Sequence, residues 1–78
     1  MNPRIFTWQI IARHPKYAPK GDVIDEVKDR AEADNLLIAY SREYLGDDPN
    51  WRVIKFRKIR PNTWHQPRQQ QIEWLQAI

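Results

Sequence analysis

The stretch Asp29–Gly46, DRAEADNLLIAYSREYLG, organises the reading of the whole chain. Asp29 followed by Glu32 has the spacing of a capping box, in which an acidic N-cap side chain satisfies the first free backbone N–H groups of a helix. Ala33, Leu36, Leu37, Tyr40 and Tyr44 then recur at i, i+3, i+4, i+7 and i+11, a single apolar stripe. A helix over 29–45 is expected, with Gly46 as the left-handed residue just past its end and Pro49 unable to continue it. One stripe means one face to bury, so the helix needs a sheet to lie on.

The sheet is legible on both sides. Upstream, Ile5–Ala12 is β-branched and aromatic, and period 2 places Phe6, Trp8, Ile10 and Ala12 on one face, with Ile5, Thr7, Gln9 and Ile11 on the other. His14–Gly21 carries two prolines and a glycine and reads as a loop. Asp22–Lys28 reads as a shorter, polar edge strand with Val23, Asp25 and Val27 on one face. Downstream, Trp51–Arg60 is a third strand whose alternation is imperfect, pointing to two partly covered faces or to a bulge. Pro67 opens a short C-terminal helix in which Ile72 and Leu75, with Trp74 and Ile78, supply a weak stripe.

The resulting class is α+β: β-β-α-β, with a right-handed crossover giving a three-stranded antiparallel sheet of order 2-1-3. The long helix covers Phe6, Trp8 and Ile10. Residues 1–61 form the core domain, and 62–78 a tail of the same domain, its helix packed on the opposite sheet face beside Ile5 and Ile11.

The chain has 78 residues and no cysteine, so disulfides and thiolate zinc sites are excluded. A single small core suits broad contact surfaces better than deep catalytic pockets. Nothing in Met1–Ala12 has the length or apolarity of a signal peptide or membrane span, and the expectation is a soluble, cytoplasmic protein, monomeric when free. Charge is divided by segment. Residues 1–20 carry Arg4, Arg13, Lys16 and Lys20 and no acid; 21–48 carry nine acids against Lys28, Arg30 and Arg42; 49–78 carry six bases against Glu73 alone.

Catalytic residues are sparse. His14 and His65 both sit in proline-rich surroundings, neither Ser41 nor Thr63 has a glycine-rich elbow, and Asp47-Asp48 reads as a solvated turn. No enzyme activity, metal or cofactor is expected. The sharpest feature is the basic third strand. Lys55 and Arg57 share a face with Trp51 and Val53, while Arg52, Lys58 and Arg60 share the other with Ile54 and Phe56. Together with Trp64 these cations are the candidate partner-binding residues. They fit three readings: an edge kept soluble by charge, a patch docking on an acidic protein, or a surface for single-stranded nucleic acid. In the first and second, reversing Arg57 and Arg60 is expected to leave the fold intact.

Phe6-Thr-Trp8, Ala31-Glu-Ala-Asp34, Tyr44 and Arg57-Lys-Ile-Arg-Pro61 resemble the small proteins of T-odd-type podophages that inhibit host RNA polymerase. The resemblance spans residues 5–61 and implies a β-β-α-β domain that docks on an acidic part of bacterial RNA polymerase. It implies that Lys58 and Arg60 make that contact, or Lys55 and Arg57 if the strand is registered from Trp51. The chain departs from that pattern in the longer segment 14–21, in extra residues of the last strand and in the tail 62–78. An inhibitor of another host complex, such as a defence nuclease, fits the same features.

Overall fold

A computed structural model describes residues 3–65, which form β1 (Arg4–His14), β2 (Ala18–Val27), α1 (Arg30–Asp47) and β3 (Arg52–Pro61). The strands make one antiparallel sheet in the order β2-β1-β3. The expected β-β-α-β order and 2-1-3 arrangement hold. The helix expected from Pro67 onward lies outside the described residues.

Asp29 caps α1 as its sequence spacing demands: its backbone is extended (φ −89°, ψ 124°) and its carboxylate accepts from the Ala31 N–H at 3.0 Å. The stripe then meets the sheet. Ile10, Val27 and Ala33 are fully buried, and Trp8, Ile24, Leu36, Leu37, Tyr40 and Val53 pack around them. Phe6 does not join this core but is 53% exposed. The start of α1 lies level with Trp8, whose ring sits 5.7 Å from the Arg30 guanidinium and 4.9 Å from the Lys55 ammonium. Strand positions farther along, Phe6 and Ile59, lie beyond the start of α1 and are more than half exposed.

β1 and β3 pair without interruption from Arg4↔Pro61 to Arg13↔Arg52, so β3 contains no bulge. Both of its faces are instead partly used, and Val53, Lys55, Arg57 and Ile59 lie on the helix side. The irregularities fall in the β1–β2 pairing, between Ile10 and Ile11 and again between Ala12 and His14. Ile10 faces Asp25 but Ile11 faces Val23, which leaves Ile24 as the extra residue. That bulge turns Ile24 into the core and sends Val23 to the opposite face, 54% exposed, reversing the assignment that simple alternation makes.

The segment 14–21 is shorter as a loop than its composition suggests. Only residues 15–17 form the turn, and β2 begins at Ala18 opposite His14. Pro19 is tolerated because β2 is an edge strand, where a missing N–H costs no ladder bond. Gly21 has φ +90°, and a Cβ there would stand 2.7 Å from Ile11 Cγ2 and 3.1 Å from Arg13 Cγ. Gly21→Ala should therefore destabilise the fold by about 1–3 kcal/mol. A thermal melt checks this, since each kcal/mol moves the midpoint by roughly 4–8 °C in a domain of this size.

The two ends of the fold are tied at His14, which is only 5% exposed. Its Nδ1 accepts from the Lys16 and Tyr17 backbone N–H groups at 3.0 and 3.3 Å, so its proton sits on Nε2, which donates to Asp48 Oδ2 at 2.8 Å. Tyr17 and Trp51 flank the ring at 4.6 and 4.8 Å, and Tyr44 meets Trp51 at 5.0 Å. Asp48, rather than Gly46, ends the helix. Its N–H donates to the Tyr44 carbonyl, its backbone is extended, and its Oδ1 accepts from the Asn50 N–H at 2.9 Å. That backbone N–H, with His14 beside it, holds the Asp48 carboxyl below the usual aspartate range. Gly46 stays helical because these contacts fix the end two residues later.

Candidate binding edge

The candidate residues of β3 divide sharply by what holds them. Lys55, on the helix side, pairs with Asp34 of α1 and lies over the Trp8 ring; that hydrogen bond holds the Asp34 carboxyl low. Its side chain is 19% exposed, so Lys55 ties the sheet to the helix.

Arg60 is held on the other face. Its Nε donates to Glu26 Oε2 and its Nη2 to Glu26 Oε1, both at 2.9 Å, a two-pronged contact from β3 to β2 across the central strand. Thr7 Oγ1 donates to Oε2 at 2.6 Å and Gln9 Nε2 to Oε1 at 3.1 Å. Glu26 is 5% exposed, yet four hydrogen bonds reach its carboxylate from the other two strands of the sheet. Burial pushes its pKa up, but the bonds from Arg60, Thr7 and Gln9 together outweigh that and leave it lowered. The same contact raises Arg60. This network is absent from a strand-by-strand reading because its members are 17 to 34 residues apart.

Arg52 is exposed and donates through Nη1 to the Pro49 and Trp51 carbonyls, 2.9 Å each. Trp64 is half-buried, with the Lys28 ammonium 5.9 Å from its ring. Arg57 and Lys58 are different. Both are exposed, and neither has an acidic partner among the described residues. Arg57 lies 4.8 Å over the Phe6 ring.

These two cations sit between Phe56, 52% exposed, and Ile59, 55% exposed. The run Phe56-Arg57-Lys58-Ile59 is thus exposed on both faces of β3, and β3 is an outer strand of the sheet. Phe6 stands beside Ile59 on the helix side. Phe6, Phe56 and Ile59 therefore join the candidate site. Exposed apolar residues at i and i+3 of an edge strand are the sequence signal that could have found the last two; Phe6 needed the position of the helix start.

Among the described residues no three His, Asp or Glu side chains gather as metal ligands would, and no helix is long and apolar enough to cross a membrane. No protein-family model matches the chain, and neither the curated proteins nor the solved structures contain a match.

Proposed function

We propose that this chain is a non-enzymatic binding protein that inhibits a larger host machine by docking the β3 edge on an acidic protein surface, bacterial RNA polymerase being the first candidate. The observation that carries the reading is the run Phe56–Ile59: two large apolar side chains more than half exposed on an outer strand, with two cations between them that no carboxylate of the described residues engages. Soluble proteins blunt exposed edges or cover them, so an edge left apolar and basic is suited to a partner. Arginine at its centre favours carboxylates, which it grips with two parallel hydrogen bonds. The resemblance of residues 5–61 to podophage polymerase inhibitors supports the choice of target.

Single-stranded nucleic acid is the alternative occupant. Base stacking needs several bare aromatic faces in succession, and here cations cover those of Phe6 and Trp8, leaving Phe56 as the exposed ring of the run. That favours a protein. The test is a tagged pull-down from bacterial lysate read by mass spectrometry, followed by transcription assays with purified polymerase. Capture of polymerase with inhibition of transcription supports the reading. Failure to bind polymerase, alongside salt-sensitive quenching of tryptophan fluorescence by short single strands, would transfer the edge to nucleic acid.

A further inference from the structure

Away from that edge, at the hairpin end of the sheet, Arg13 and Arg52 stand directly opposite each other on β1 and β3. Both are exposed. Like charges in a cross-strand pair work against folding, so this pair is not there for stability. Arg13 has no hydrogen bond or ion pair among the described residues. Arg52 spends Nη1 on two backbone carbonyls, which pins its guanidinium and leaves Nε and Nη2 for another acceptor.

A cleft of about 400 Å³ opens beside them, lined by Arg13, His14, Pro15, Pro19, Asn50 and Arg52. Among the described residues no carboxylate lines it. Asp48, tied to two of the lining residues, has one oxygen on His14 and the other on the Asn50 N–H. Gly21 leaves room for the stem of Arg13, which a side chain at that position would displace.

We propose that this cleft binds a phosphate monoester of nucleotide size through the Arg13–Arg52 pair. Two guanidinium groups offer planar forks of donors that match phosphate oxygens, and a dianion offsets the repulsion between two adjacent cations. A carboxylate, with one charge, offsets only part of it. The cleft is larger than an oxyanion alone and falls within the ~300–1,000 Å³ of small-molecule sites. Pro15 and Pro19 supply apolar wall for the group the phosphate carries. The site is separate from the Phe56–Ile59 edge and does not depend on its role.

The test is an amide ¹H–¹⁵N NMR titration of the full chain with four probes: inorganic phosphate, AMP, adenosine, and a short single-stranded DNA lacking terminal phosphates. Saturable shifts at His14, Asn50 and Arg52 are expected with AMP, weaker ones with inorganic phosphate, and none with adenosine. Arg13→Gln should weaken AMP binding roughly tenfold or more, the equivalent of one charge-assisted hydrogen bond. Arg13→Lys should fall between it and the wild type. Because Arg13→Gln relieves a like-charge contact, it should melt no lower than the wild type; a clearly lower melt would overturn the premise. Absence of saturable shifts with AMP, or equal AMP affinity in Arg13→Gln, would overturn the site. Shifts with the oligonucleotide but not with AMP would assign the cleft to nucleic-acid diesters instead.

Discussion

Arg60→Ala should destabilise the protein by about 3–5 kcal/mol, the cost of stranding a buried carboxylate without its cation. For a domain this small that is on the order of the whole folding free energy. Glu26 has nowhere to turn, being 5% exposed, with Thr7 and Gln9 left as its side-chain donors among the described residues. Arg60→Glu should be worse still, since it sets a second carboxylate against the first. Glu26→Ala should cost less, about 2–3 kcal/mol, because the Arg60 side chain is 31% exposed and its guanidinium can recover water. Replacing both by apolar residues should restore most of the loss. Chemical denaturation of the four variants checks the order.

The same carboxylate makes stability depend on acidity. Its folded pKa lies below the reference value of 4.5, so its contribution is fully present above that value and fades as pH falls through the folded pKa. Melting midpoints measured from pH 6 downward should drop in the wild type. Glu26→Gln should flatten part of that drop. Asp34 and Asp48, also held low, supply the remainder.

Arg57→Glu is expected to act on binding alone. Its side chain is exposed and meets no carboxylate among the described residues, so reversal should cost no more than the exposed contact with the Phe6 ring, about 0.5–1 kcal/mol. At a desolvated interface with an acidic partner, the same change should cost about 2–5 kcal/mol of binding, because a carboxylate there would face a like charge. Arg57→Lys should lose less, yet measurably, since an ammonium cannot form the two-pronged contact. Lys58→Glu should add to the effect. Circular dichroism establishes the fold, and affinity for the partner recovered from lysate decides the role. A folded Arg57→Glu, Lys58→Glu protein that binds as well as the wild type would make this edge a solubility device. Pairing Arg57 with Arg60 in such a test, as the strand sequence alone suggests, would confuse loss of binding with loss of fold.

That contrast marks the boundary between local and tertiary information. The Asp29 cap, the stripe from Ala33 to Tyr44, the alternation of β1 and the strand order all follow from neighbours within a few residues, from periodicity and from crossover handedness, which the chain carries in one dimension. The pull of Asp48 on the helix end, which makes Gly46 an ordinary helical residue, depends on His14, 34 positions away. The bulge that exchanges Val23 for Ile24 in the core depends on how β2 must register against β1 while Gly21 passes Ile11 and Arg13. The cations of β3 look alike in the sequence: Lys55, Arg57, Lys58 and Arg60 are crowded into one strand. Only the folded arrangement separates them, because a charge becomes structural when a carboxylate from another strand or helix meets it, as Glu26 meets Arg60 and Asp34 meets Lys55, and stays available when none does.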